Sequence, residues 1–129
     1  EYQKPPFSKK YVEKLIRDLA SLFGTKVVLT GVCFDENYLG SATFDPADGA
    51  VNYQFSKKIP TNYPGSGDVF ASALVAALLK GFDLEKSAKI SVDFTSNSVQ
   101  ATYNAQTEPR FGLNFESQIP MLLKSLNII

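Results

Sequence analysis

The 129-residue sequence contains no histidine and only one cysteine and one methionine. Without histidine there is no Ser-His or Cys-His nucleophile pair and no histidine-bearing zinc site. Cys33 alone can form neither an internal disulfide nor a cysteine-rich metal centre, and its apolar, strand-like setting reads as that of a small buried hydrophobe. The thiol usage suits a reducing compartment, so a cytoplasmic location is expected. Charge of either sign is not in excess. Thirteen basic residues balance thirteen acidic ones, which leaves no electrostatic footprint for nucleic acid or an anionic membrane. The longest nearly apolar run, Val69 to Leu79, is well short of the roughly 20 residues a membrane span needs. No basic segment followed by an apolar one opens the chain, so nothing reads as a signal peptide. Chemistry must therefore come from carboxylates, hydroxyls, lysines, backbone amides or a bound ligand.

Local signals divide the chain clearly. Ser8 is placed to cap a helix whose apolar residues Tyr11, Leu15, Ile16, Leu19, Leu22 and Phe23 recur at helical spacing, and Gly24 supplies its C-terminal stop. Lys26–Thr30 is a short β-branched run that reads as a buried strand. Turn signals at Asp35-Glu36-Asn37 and Asp45-Pro46-Ala47-Asp48-Gly49 bracket two further strands, Tyr38–Phe44 and Val51–Phe55. In the latter, Val51, Tyr53 and Phe55 alternate with Asn52 and Gln54, as on a strand half-buried on one face. The expectation is an antiparallel meander whose first strand joins a larger sheet. A loop then leads to Gly65-Ser66-Gly67-Asp68 and a helix through Lys80. This helix is apolar nearly all round and is expected to be buried on most sides. Gly81 ends it, Asp83 caps a helix from Leu84 to about Tyr103, and Asn114–Leu126 is expected to close the chain as a helix. Three strands and four helices offer little material to surround the apolar helix. The expectation is a missing N-terminal half upstream of Glu1, in keeping with a start that carries no initiator methionine.

The sharpest motif is Tyr63-Pro64-Gly65-Ser66-Gly67-Asp68-Val69-Phe70-Ala71-Ser72. Two glycines let the backbone turn tightly and approach a ligand closely. The following helix aims its unpaired N–H groups and positive dipole end at whatever occupies the loop. Phosphoryl transfer needs such charge stabilisation, together with a base for the attacking hydroxyl, and Asp68 is placed to accept that proton. The bland alternative is a plain loop before a helix capped by Ser66 or Asp68.

The stretch from Pro64 to Leu74 resembles the signature of ribokinase-superfamily enzymes, most closely their pyridoxal kinase branch. The usual Gly-Thr-Gly-Asp here has Ser66 for Thr, which keeps the hydroxyl and the amide. The resemblance covers essentially the whole chain but only the C-terminal half of a family member. It implies a ribokinase-like, three-layer α/β fold, here only the short β-meander plus helices that form the ATP-binding and catalytic part over residues 1–129. It also implies ATP as co-substrate, Mg2+, and a vitamin B6 vitamer (pyridoxal, pyridoxine or pyridoxamine) phosphorylated at its 5′-hydroxymethyl group. Complete members are expected to be homodimers. By the same resemblance, Gly65, Ser66 and Gly67 match the anion hole for the γ-phosphoryl group and Asp68 matches the catalytic base. Thr30 and Gly31 match a strand end near the ATP phosphates and ribose. Tyr63 and Val99 match apolar walls of the base pocket. The acidic magnesium motif and the residues that sandwich the pyridine ring would lie before Glu1, so the isolated chain is expected to be inactive.

Other readings stay open beside this one. Thr30 also reads as the last β-branched residue of a strand, and Val99 as core on a stripe with Ala88, Val92 and Tyr103. Asp93 and Asn97 read as a metal pair or, more simply, as a solvated helix face, and Lys57-Lys58 as surface charge. Within the superfamily, a hydroxymethylpyrimidine or sugar substrate is the alternative. Hydroxymethylpyrimidine kinases typically have Cys where Asp68 stands, and sugar kinases tend to carry Gly-Ala-Gly-Asp before a different helix start. Outside catalysis, the alternative is a fragment that binds nucleotide without turnover.

Overall fold

The computed structural model describes residues 3–129, in two compact units that divide between Lys58 and Ile59. In the first unit, helix α1 (Lys9–Phe23) precedes strands β1 (Val27–Val32), β2 (Tyr38–Phe44) and β3 (Val51–Lys57). The Ser8 hydroxyl accepts the Tyr11 N–H at 3.1 Å, and Gly24 ends α1 in the left-handed conformation at φ 61°. The strands form an antiparallel sheet in the order β1-β2-β3. Turn chemistry closes it: the carboxylates of Asp35, Asp45 and Asp48 each accept the backbone N–H two residues on.

Register explains the core. Val27 pairs with Phe44 and Leu29 with Ala42, while Ala42 pairs with Tyr53 and Phe44 with Val51. These side chains share one sheet face, and α1 lays Val12, Ile16 and Ala20 against it. Strict alternation would send Val32 to the opposite face from Leu29. The register shifts between Thr30 and Val32, with Gly31 at φ 70°. This bulge inserts one residue and returns Val32 to the core.

Three expectations for this unit change. The buried ridge of α1 is Val12, Ile16 and Ala20, whereas Leu22 and Phe23 are exposed, because the sheet supports the middle turns rather than the last one. Strand β1 runs past Thr30 to Val32. Gln54 is buried although it alternates with the core residues. Its cost is met by hydrogen bonds: Ser41 Oγ donates to Gln54 Oε1 at 2.7 Å, and Gln54 Nε2 donates to Thr43 Oγ1 at 3.0 Å.

The second unit is helical, with α2 (Ser66–Leu79), α3 (Leu84–Ala105), two short 3₁₀ turns (Pro109–Phe111 and Glu116–Gln118) and α4 (Ile119–Ser125). Asp83 caps α3 by accepting the Lys86 N–H at 2.7 Å. Helix α2 buries Phe70, Ala73 and Ala77, and Ala77 meets Ile90 and Leu126 in a small core. The α3 side buries Ser87, Ala88, Ser91, Ser98 and Thr102. The hydroxyls of Ser91, Ser98 and Thr102 donate to carbonyls one turn back, as in Ser91 Oγ to Ser87 O and Thr102 Oγ1 to Ser98 O, and that of Ser87 donates to Phe82 O. Within the described residues α2 leaves Val75, Leu78 and Leu79 exposed, Leu79 by 83 %; the sequence offers little material to cover the rest of this apolar helix. One packed neighbour covers one stripe of a helix, however apolar the remainder. The last helix also starts later than expected, at Ile119, with Pro120 in its first turn. No helix among the described residues is long and apolar enough to cross a membrane.

Candidate active site

The N-terminus of α2 differs from those of α1 and α3. Gly65 is the capping residue, at φ 88° and ψ −3°, with no side-chain cap hydrogen bond. The first helical bond runs from Val69 N–H to Gly65 O at 3.0 Å, so the N–H groups of Ser66, Gly67 and Asp68 have no acceptor within the helix. Neither Ser66 nor Asp68 caps it with a side chain. Gly65 needs glycine for its positive φ. Gly67 does not: it lies inside the first turn with ordinary backbone, and a Cβ built on it meets nothing within 4 Å. Neither packing nor conformation calls for glycine there, although glycine lowers helix stability by up to about 1 kcal/mol relative to alanine. What a missing Cβ provides is room above three outward N–H groups at a positive dipole end.

Asp68 is exposed in the same first turn, where a carboxylate is also favoured by the helix dipole. Ser66 is half-buried. Tyr63 is buried, so it offers little ring face to a ligand. Val99 is half-buried on α3, on the stripe of buried Ala88 and Val92, while Tyr103 is exposed. Thr30 and Gly31 belong to the first unit, where they form the exposed bulge of β1. Asp93 is ion-paired with Lys89 at 2.6 Å. Together with Asn97, Asp93 lines a cleft of ≈ 180 Å³ between α3 and α4, whose walls contain none of the loop residues. Among the described residues no group of three His, Cys, Asp or Glu side chains could hold a metal ion. Cys33 is buried, and Lys57 and Lys58 are exposed.

One neighbour of the loop escaped the sequence reading. Gly112 comes so close to the Pro64 carbonyl that an added Cβ would lie 3.4 Å from it. That contact sets the 3₁₀ turn Pro109–Phe111 beside the approach to Gly65. The only sequence signal was a Pro-Arg-Phe-Gly cluster after a long helix, which reads as an ordinary turn.

A family model for phosphomethylpyrimidine kinases matches residues 3–111. The chain belongs to that family. The pyridoxal kinase of Lactobacillus plantarum superimposes with a TM-score of 0.81 at 25 % identity, over 95 % of this chain and 43 % of that one. A putative phosphomethylpyrimidine kinase from Bacteroides thetaiotaomicron, in a crystal form with pyridoxal, gives 0.82 at 22 % identity over 98 % and 44 %. A 51-residue stretch is 33 % identical to the nodulation protein NolS of Sinorhizobium meliloti, over 40 % of this chain and 57 % of that one. The chain thus spans less than half the length of the solved kinases it matches. The fold is the ribokinase-like α/β type shared by these kinases, carried here in part.

Proposed function

We propose that this chain supplies the ATP-binding and phosphoryl-transfer part of a kinase that phosphorylates the 5′-hydroxymethyl group of a vitamin B6 vitamer. The observation that carries the reading is the α2 N-terminus: without a side-chain cap, lined by two glycines without Cβ neighbours, and bearing an exposed carboxylate in its first turn. In this role the N–H groups of Ser66, Gly67 and Asp68 face the γ-phosphoryl oxygens and offset the charge that accumulates there during transfer. The substrate hydroxyl oxygen bonds to the γ-phosphorus, the bond from phosphorus to the β,γ-bridging oxygen breaks, and ADP leaves with that electron pair. The hydroxyl proton passes to Asp68. Thr30, Gly31 and Val99 remain candidates for the nucleotide pocket through the family resemblance. Among the described residues no three His, Cys, Asp or Glu side chains form a ligand set for the Mg2+ that the family reading implies, and by that same reading the residues that sandwich the substrate ring lie before Glu1.

A second reading, phosphorylation of a hydroxymethylpyrimidine, is favoured by the family model itself. Asp68 weighs against it, since those kinases typically carry Cys at that position. Both substrates present a hydroxymethyl group on a nitrogen heterocycle, so the same transfer chemistry serves either. The deciding experiment measures kcat/KM for pyridoxal, pyridoxine, pyridoxamine and hydroxymethylpyrimidine with Mg-ATP in the protein as its gene encodes it. A hydroxymethylpyrimidine preference would overturn the vitamin B6 reading. In the same protein Asp68→Asn is nearly isosteric but cannot take a proton. It is expected to lower kcat by about 10²–10⁴-fold, the usual worth of a general base, with ATP affinity little changed. A near-normal kcat would remove the base assignment.

A further inference from the structure

The glycine loop before α2 does not hold its own shape. Pro64 has a fixed φ but a free ψ, and Gly65, at φ 88°, is the residue type with the fewest steric limits. Those two dihedrals, ψ of Pro64 and φ of Gly65, turn the peptide plane between the residues as one rigid unit. The Pro64 carbonyl lies on one edge of that plane and the Gly65 N–H on the other. Whatever restrains the carbonyl therefore fixes how the chain enters the first turn of α2. The Pro64 oxygen lies 3.4 Å from the place that a Cβ on Gly112 would take. Gly112 sits at φ 75° and ψ −157°, a region essentially closed to other residues, and its own segment is pinned. Its N–H donates to Pro109 O at 3.0 Å, Leu113 is buried, and Asn114 N–H donates to Thr102 Oγ1 on α3 at 2.8 Å. Thr102 is fully buried. Its hydroxyl hydrogen is engaged by Ser98 O at 2.7 Å, which leaves the oxygen's lone pairs for Asn114. A buried side chain on α3 thus holds the strand of chain that faces the loop.

We infer that Thr102 and Gly112 are positioning residues for phosphoryl transfer: through the Pro64 carbonyl they set the N–H groups of the α2 first turn against the transferring group. This role presupposes the phosphoryl-transfer reading of that site. Neither residue touches the reacting atoms, so the expected loss lies in transition-state stabilisation rather than in nucleotide binding. The test uses the protein as its gene encodes it, in wild-type form and as Thr102→Val, Thr102→Ser, Gly112→Ala and Gly67→Val. For each, Mg-ADP affinity is measured with and without aluminium fluoride, which stands in for the transferring phosphoryl group, alongside kcat. Thr102→Val keeps the buried shape but removes the acceptor for Asn114 N–H. It is expected to lower kcat, and the gain in affinity that aluminium fluoride brings, about tenfold to 10²-fold, the scale of a small misplacement. Affinity for ADP alone should stay unchanged. Thr102→Ser retains the hydroxyl and should behave as wild type, while Gly112→Ala presses a methyl carbon toward the Pro64 oxygen and should match Thr102→Val. If Thr102→Val or Gly112→Ala keeps the full gain while Gly67→Val loses it, the positioning role is wrong and the phosphate site stands. Equal weakening of ADP with and without aluminium fluoride by Thr102→Val, or failure of Thr102→Ser to restore the gain, would mean a general disturbance of packing and also overturns the role. Absence of any gain in the wild type removes phosphate site and positioning residues together.

Discussion

Gly67→Ala separates ligand approach from structural need, because the two predict opposite signs. Gly67 lies in the first turn of α2 with no positive φ, and a Cβ there meets no atom within 4 Å. An added methyl group is therefore unstrained in the folded state and restricts the unfolded chain, which stabilises a protein by about 0.4–1 kcal/mol. For a chain of this size, 1 kcal/mol corresponds to roughly 3–4 °C in melting temperature. The variant should accordingly melt about 1–4 °C higher than wild type. The same methyl group occupies the space above the N–H groups of the first turn, so ATP affinity should fall as stability rises. Gly65→Ala provides the contrast: at φ 88° a side chain is strained by about 1–2 kcal/mol, so stability and binding should fall together. Calorimetric melting and ATP titration on both variants give the comparison. A Gly67→Ala protein that melts lower would show a structural need for glycine that the geometry does not contain. One that melts higher and binds ATP unchanged would refute the idea that the open space serves a phosphate.

Two further expectations concern the first unit. Ile16 is fully buried between α1 and the sheet, so Ile16→Ala should cost about 2–5 kcal/mol, read as a lower urea midpoint; a loss below about 1 kcal/mol would mean that α1 is not anchored there. Burial, and secondarily the hydrogen bond to Glu13 Oε1 at 2.9 Å, raise the Tyr53 phenol above its ordinary pKa. Its neutral form then favours the folded state fully below about pH 10, and that contribution is lost as pH climbs through the raised value. Wild-type stability should therefore decline more steeply above about pH 10 than that of Tyr53→Phe, and parallel curves would show that Tyr53 does not carry the effect.

What the sequence made legible was local. Ser8, Gly24 and Asp83 act on their own or the next few residues, and their caps are where the residue types indicate. The two Asp-rich turns likewise leave β2 and β3 starting at the expected residues, although β3 runs past Phe55 to Lys57. Burial was less legible, because it depends on what lies opposite. Periodicity placed Leu22 on the same stripe as Ile16, yet only Ile16 has the sheet beneath it. Gln54 looked solvent-facing because its partners Ser41 and Thr43 come from another strand. The loop motif was readable in full, as type and spacing of residues. That Gly112 would lie against the Pro64 carbonyl was not readable, since the segments are separated by two helices.

The buried Ser41–Gln54–Thr43 contacts carry a consequence for how the hairpin finds its pairing. Side-chain alternation distinguishes a one-residue slip of β3 along β2, because such a slip turns the apolar set to the wrong face. It does not distinguish a slip of two, which restores Val51, Tyr53 and Phe55 to the α1 side. In the observed pairing Gln54 stands opposite Ser41, with one hydroxyl donating to its amide oxygen and another accepting from its amide nitrogen. Shifted by two in one direction, Gln54 would face Leu39, and a buried amide would lack the partner it now has. Gly40 adds a steric mark, since a side chain there would collide with the Gln54 carbonyl. The polar contacts thus select among pairings that hydrophobic burial alone would leave nearly equal.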